Sequence, residues 1–517
     1  MDVGRLLVFP AACLVAVLGL CAYGEEGAQS PAAPAKAAET PQPKIHACTG
    51  AGRWYPADAD KLGEMLDAFL ANQPPIPQAP VALIAPHAGY QYSGAVAGRA
   101  YAALKGRTYR RVILMGPSHQ APLRGASVLR VDAYDTPLGR IPVDTEARDA
   151  LLKSSIVKEQ PAAHANEHSV ENQLPFLQRT IKDFKMVEVL VGDLSPSDRD
   201  ALVAAVRPLV DQGTLMVVSS DFCHYGPAYG YVPFKDDVPR QLAALNAAAT
   251  QEILQVDVAG WDNFLGETHD TICGRSPIGV LLKVLEPVDD VEGLRVGFDM
   301  SGHLMGDYTN SVTYASFVFW RAGEGLTPAE QETLLGIARE SAVTFLKTGK
   351  APDLSAERRD LTPSLLAPGA AFVTLKNGGR LRGCVGHIVA YKPLFASVVE
   401  NACHACQDPR FTDEPITEKE AGDLSIEISV LTPMRRLADP QKVRVGKDGL
   451  MMAKGANRGL LLPQVPTEQG WTREQFLQGT CRKAGLPLDA WKDKDTEIYR
   501  FGAQVFGEEK PNQAGAK

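Results

Sequence analysis

The sequence predicts an α/β domain followed by a second domain that contains a β-hairpin. Three observations carry this. Four short Val/Ile/Leu-rich runs, VALIAP (81–86), RVILMG (111–116), VEVLVG (187–192) and TLMVVSS (214–220), alternate with longer amphipathic stretches, as strands buried on both faces and their crossover helices do. Beyond residue 370 the apolar stretches instead resemble a hairpin, FVTLKNGGRLRGCVGHI, and a half-buried strand, LSIEISVL. At 517 residues the chain exceeds one ordinary domain.

Taken in order, the chain opens with Arg5 and an uncharged run, LLVFPAACLVAVLGL (6–20). This reads as a secretory signal, with Ala22-Tyr23-Gly24 as the small-residue cleavage region. The run is short of the roughly 20 apolar residues a membrane span needs. An uncleaved N-terminal anchor is the alternative. Residues 25–44, EEGAQSPAAPAKAAETPQPK, lack core formers and read as a flexible linker. Seven scattered cysteines follow residue 24, which is no disulfide scaffold. The one close pair, Cys403 and Cys406, reads as a helical surface pair. A net charge of −8 disfavours a nucleic-acid partner.

In the first half, GAVAGRAYAALK and RDALVAAVRPLV are the helical candidates between strands, and the order argues for a mostly parallel sheet. SVTYASFVFW (311–320) has the content of a closing strand. The chain breaks near 321–328. Thr327-Pro328-Ala329-Glu330 then offers an N-cap, a first-turn Pro and an acid at the third position, so a helix is expected through about Lys347.

The chemistry gathers at strand ends. VALIAP is followed by His87, RVILMG by Ser118-His119, and TLMVVSS by Asp221-Phe222-Cys223-His224. A parallel sheet brings its carboxyl ends to one edge, where ligands bind. In the last segment Asp221 and His224 are expected to face the pocket and Cys223 to alternate away into packing. HANEHSVENQLP (164–175) sets His168 and Glu171 at i and i+3, on one side if this is a helix start, with Glu167 read as solvated. In TICGRSPIGV, Cys273 precedes Ser276-Pro277, read as an N-cap and first helical residue. A thiol there should have a lowered pKa and could ligate a metal as thiolate. The competing reading of Cys273 is a small core residue. Imidazoles with a thiolate suit iron, copper or zinc. There is no HExxH for a zinc peptidase.

APHAGYQYSG, GPSHQAP, NEHSVENQLPFL, SSDFCHYG and TICGRSPIGVLL resemble the successive motifs of the Memo family, system protein B of the AmmeMemoRadiSam set. CTGAGRWYPAD, with Trp54 and Tyr55, fits the family's start. The resemblance implies an α/β Memo domain resembling class III extradiol dioxygenases, whose iron is held by two His and a Glu. It implies metal ligation by His87, His119 and Cys273, with Cys273 in the carboxylate's place. His224, where a dioxygenase has an acid/base His, and Asp221 would handle protons; His168 and Glu171 are further catalytic candidates. Copper or iron is the implied metal, with zinc as a third choice. The missing carboxylate argues against ordinary ring cleavage.

In the second half, LRGCVG (381–386), DPRF (408–411) and GLLLPQVPTEQGWTREQFLQGTC (459–481) resemble the AMMECR-type domain, system protein A of the same set, an α+β fold. Cys384 is either a nucleophile or a residue small enough to fit a tight backbone; Arg382, His387 and Arg410 lie nearby in the motifs. The division expected is a signal peptide (1–24), a linker (25–44), a Memo-like metal-site domain (45–320), a linker (321–326), an AMMECR-type domain (327–510) and a disordered tail (511–517).

The resemblance implies one partner, a radical S-adenosylmethionine protein. No Cys-x3-Cys-x2-Cys cluster motif occurs in this chain. Fusing A to B raises their mutual concentration to about millimolar. A cytosolic cluster protein and an exported fusion would not meet, so either export fails or this chain acts apart from that partner. The expected function is a metal-dependent oxidoreductase acting on an unknown small molecule or peptide, in an exported protein with no stable membrane insertion after signal cleavage. A non-catalytic metal-handling or peptide-binding adaptor is the alternative.

Overall fold

The computed structural model describes residues 42–73, 76, 78–288, 291–321, 325–353, 361–437 and 439–508. The signal peptide, nearly all of the 25–44 linker, residues 322–324 of the second linker and the 511–517 tail lie outside the described residues. No helix among the described residues is long and apolar enough to cross a membrane.

The four apolar runs form strands β1 (Pro80–Ala85), β2 (Arg111–Pro117), β3 (Lys185–Val191) and β4 (Thr214–Ser219). They lie side by side and parallel in the order β1-β4-β2-β3. Alternate residues enter opposite cores. Leu83, Leu114 and Val217 join one cluster, whereas Ile84, Ile113 and Val218 join the other. Both faces are therefore sealed, which is why these runs are continuously apolar. Helices α1 (Tyr90–Ala102), α2 (His168–Glu171) and α3 (Pro196–Val206) interrupt the strands, and α4 (Val238–Leu254) and α5 (Arg275–Leu285) follow them.

The sheet is more mixed than the run pattern suggests. β5 (Val291–Met300) and β6 (Ser311–Arg321) form an antiparallel pair, and β6 pairs antiparallel with β1. Short segments at both edges bring the total among the described residues to nine strands. SVTYASFVFW is thus an interior strand. The return from β5, residues 301–310 with a helical turn at Ser301–Met305, is too short for a parallel crossover, so β6 arrives with reversed direction.

The second domain begins with α6 (Pro328–Thr348), whose capping box pairs Thr327 with Glu330. One antiparallel sheet orders β8-β7-β9-β14 from β7 (Ala370–Asn377), β8 (Arg380–Gly386), β9 (Leu424–Leu431) and β14 (Ala503–Gly507). Gly378 and Gly379, at φ 57° and 86°, make the β7–β8 turn. A second sheet is built from β10 (Arg435–Arg436), β11 (Gly449–Lys454), β12 (Asn457–Leu461) and β13 (Glu497–Phe501), with α8 (Arg473–Lys483) against it. Helices α6 and α7 (Leu394–Ala405) cover one face of the first sheet. Cys403 and Cys406 do not form the expected surface pair. Both are buried and free, with their thiols against the backbone of α6. The two domains touch where Arg435 donates to the Val288 and Val291 carbonyls and Arg436 pairs with Asp257.

Candidate metal centre

His87 follows β1, His119 follows β2 and Asp221 follows β4, so the parallel core delivers all three to its carboxyl edge. Cys273 arrives there from the loop ahead of α5. One donor atom from each of His87, His119 and Cys273 lies within 4.8 Å of the others, and Cys273 Sγ is 3.3 Å from His87 Nε2.

The hydrogen bonds assign the imidazole tautomers. Ser219 Oγ gives its proton to the Ser169 carbonyl, so at 2.8 Å from His87 Nδ1 it must accept. His87 is then protonated on Nδ1, leaving the Nε2 lone pair towards Cys273. Gln173 Nε2 also donates to Ser219 Oγ and fixes that hydroxyl. His119 Nδ1 donates to Glu167 Oε1 at 2.9 Å, and His224 Nδ1 donates to the Phe222 carbonyl at 2.8 Å. In its neutral form each of the three rings therefore presents the Nε2 lone pair, the form a metal requires. Burial, reinforced by the neighbouring imidazoles, keeps the His87 pKa well below its ordinary value.

Glu167 overturns its reading as a solvated residue. It is 3% exposed and accepts from the His119 amide at 2.5 Å, the His119 ring and the Ser169 amide. Burial opposes its charge, but these donors prevail and hold its pKa at about 2. His119, Glu167 and His168 form a second group of close donor atoms. Because Glu167 is already committed to orienting His119, that group supports the first and is no separate site.

His168 and Glu171 part company. The His168 ring stacks on His119 at 4.9 Å and on Trp54 at 4.4 Å, and meets His87 edge-on at 5.4 Å. Glu171 faces the 48–55 loop instead. It accepts from the Thr49 amide and hydroxyl, the Gly50 amide and Tyr55 Oη. α2 is a single turn of four residues, too short for an i, i+3 pair to define a working face. Glu171 is a buried anchor for the loop that carries Trp54, and among the described residues it belongs to neither donor group.

Asp221 is buried and accepts from the His87 and Ala88 amides at 2.7 and 3.2 Å. Burial raises its pKa, opposed chiefly by His224. Its own amide donates to Cys273 Sγ at 3.2 Å. The Cys273 thiol departs from expectation. The helix begins at Arg275 with Gly274 as N-cap, so Ser276-Pro277 lie inside it and Cys273 stands outside. Burial and then the charge of Asp221 push this thiol well up, outweighing the N–H groups that favour thiolate. Cys223 is buried in a separate apolar cluster with Tyr225 and Leu242, so it packs as expected, although strict strand alternation would have put it on the same face as Asp221.

A third histidine arrangement is a decoy. His164 Nδ1 lies 3.0 Å from Glu188 Oε1 and its Nε2 2.9 Å from Ser127 Oγ, the distances of a hydrolytic triad. All three residues are buried in the interior, so no substrate reaches the serine.

A family model described as Memo-like protein matches residues 47–318. The chain belongs to the Memo-like protein family. A second model, AMMECR1, matches residues 335–506, so an AMMECR1 domain follows the Memo-like domain. The chain is 32% identical to Protein MEMO1 of Homo sapiens over 280 residues, which is 52% of this chain and 94% of that protein. It is 42% identical over 191 residues to Protein PH0010 of Pyrococcus horikoshii, covering 35% of this chain and 90% of that one. The crystal structure of the Pyrococcus protein, described as uncharacterized, aligns with 36% of this chain and 95% of its own at 40% identity and a TM-score of 0.34.

In the AMMECR1 domain the LRGCVG segment is strand β8. A Cβ on Gly383 would stand 2.0 Å from the Ala405 carbonyl oxygen, and one on Gly386 would stand 2.2 Å from the Phe372 ring. The two glycines thus permit β8 to pack against α7 and β7. Cys384 Sγ accepts from Thr374 Oγ1 at 3.2 Å, and its amide donates to Asp408 Oδ2 at 2.9 Å. Arg410 holds Asp408 and the Cys384 carbonyl, while Arg382 is buried against Glu414 and Glu420. His387 is engaged by Ser397, Asn401 and Tyr391, and no hydrogen bond joins it to Cys384 among the described residues.

Sequence reasoning missed Glu167, Ser219 and Gln173. A signal for Glu167 was available, namely an acid directly before the catalytic candidate His168 in a histidine-rich site, since site imidazoles pair their other N–H with carboxylates. Ser219 and Gln173 carried none, because their role depends on which segments meet in space.

Proposed function

We propose that the Memo-like domain binds one copper or iron ion through His87 Nε2, His119 Nε2 and Cys273 Sγ, and that it serves a metal-dependent oxidation related to extradiol dioxygenase chemistry. The observation that carries this reading is three donor atoms within 4.8 Å, two of them on rings whose other nitrogen is already committed. Three protein donors leave coordination positions for an outside ligand, the pattern of working sites more than of structural ones. The bound metal would supply a redox couple and polarise a coordinated substrate. A cation beside Cys273 would also offset the burial that disfavours its thiolate.

This chain's own groups do the rest. Glu167 and Ser219 fix ring orientation. Asp221 and His224 stand beside the donors, with His224 Nε2 free to take or return a proton. Trp54 and His168 form a stacked wall on the His119 side. A metal-handling or peptide-binding adaptor is the second reading, favoured by the thiol at the third position, since a soft donor suits copper(I) storage or transfer. Export, and cooperation with a radical S-adenosylmethionine protein, are proposals of the same standing.

Metal analysis of protein purified without chelator tests the site. Near one equivalent of copper, iron or zinc in wild type, lost in His119→Ala and Cys273→Ser, is expected; equal metal content in all three proteins would overturn it. Oxygen consumption by the loaded protein separates oxidoreductase from adaptor.

A further inference from the structure

A cleft of about 470 Å³ lies between the Memo-like and AMMECR1 domains, away from the histidine cluster. Leu254, Leu294 and Val296 wall one side, and Pro368, Ala390 and Tyr391 the other. Its size is that of a small-molecule pocket. Two arginines also line it: Arg99 in the last turn of α1 and Arg295 on β5.

Arg295 is half-buried. Its Nη1 donates to Asn246 Oδ1 at 3.1 Å and Thr250 Oγ1 at 3.4 Å, and its guanidinium rests on the Phe298 ring at 5.2 Å. These partners are all neutral. Among the described residues no carboxylate pairs with Arg295 or with Arg99. Behind Arg295, Asn246 is 2% exposed and its Nδ2 has no hydrogen-bond partner. A desolvated cation with only neutral acceptors is costly unless an anion completes it. A cleft with apolar walls, this cation and the exposed Arg99 suits a ligand with a charged head and a hydrocarbon body.

We propose that this cleft binds a medium-chain monocarboxylate, its carboxylate on Arg295 with Arg99 adding charge, and its chain along the apolar walls. The site joins residues of both domains, so the fusion itself completes it. It does not depend on the metal reading.

Isothermal titration of the full chain with decanoate tests the proposal. Decanoate should bind with one-to-one stoichiometry and more tightly than decanol, which lacks the charge, or acetate, which lacks the chain. Arg295→Gln and Arg99→Gln should each weaken decanoate about tenfold, the worth of one charge-assisted contact. Ala247→Trp, at an exposed position lining the cleft, should block it. His119→Ala should leave it unchanged. Arg99→Gln and Ala247→Trp keep the test decisive should Arg295→Gln fail to fold. Decanoate held no better than decanol, unaltered binding in Arg99→Gln and Ala247→Trp, or loss in His119→Ala would overturn it.

Discussion

Glu167 Oε1 accepts the Nδ1 proton of His119 at 2.9 Å, and the same carboxylate accepts the His119 amide. One buried acid thus sets the position, tautomer and ring plane of a candidate ligand. Replacing it should disturb the metal before it disturbs the fold. Glu167→Gln is expected to lower metal affinity roughly 10–100-fold, the usual effect of removing an orienting carboxylate. Equilibrium dialysis against copper or iron, beside circular dichroism, reads both quantities. Unchanged affinity in a folded variant would remove Glu167 from the site.

Glu171 should behave oppositely. It accepts five bonds that pin the 48–55 loop, one of them from the Cys48 thiol, and a lost partner for each costs about 1–3 kcal/mol when buried. Glu171→Ala is expected to lower stability by about 3 kcal/mol or more in urea melts, on that per-bond scale. Metal stoichiometry measured on the folded fraction should remain that of wild type. Loss of metal without loss of stability would instead make it a site residue.

In LRGCVG the glycine should matter more to folding than the cysteine. Gly383→Ala drives a Cβ to within 2.0 Å of a backbone oxygen, which α7 cannot yield without repacking. A loss of about 2–4 kcal/mol is expected, as for other overpacked sites. Cys384→Ala removes one weak sulfur contact and should cost under about 1 kcal/mol. Thermal melts of the two variants give the comparison. If Cys384→Ala proves the more damaging, the thiol has a structural or chemical role beyond that contact.

Acid should loosen the AMMECR1 domain through Asp408. Burial works against its charge, but Arg410 and the Cys384 amide hold its pKa at about 2, below the ordinary 3.8. A depressed carboxyl stabilises the folded state above its unfolded pKa. That contribution, about 2 kcal/mol at neutral pH, is lost as pH falls from about 4 through about 2. Asp408→Asn should be less stable than wild type at pH 7, and the gap should close towards pH 2. Urea midpoints measured across that interval check it. A gap independent of pH would mean the charge is not what matters.

By itself the sequence determined the strands, because β1 to β4 are buried on both faces and such burial demands continuous apolar runs. It determined the helix from Thr327, whose cap is a local hydrogen-bonded motif. It also named His87, His119 and Cys273, since motif order survives without coordinates. Only tertiary structure decided which polar groups are partners. Glu167 looks solvated beside other polar residues until His119, 48 positions away, donates to it twice. Glu171 looks like a companion of His168 until the 48–55 loop claims it. The thiol of Cys273 looks activated by a helix until burial and Asp221 reverse the shift. Strand runs, caps and alternation are local, set by neighbours along the chain. Hydrogen-bond partners, burial and charge at this site are set by segments that meet only when the sheet has formed.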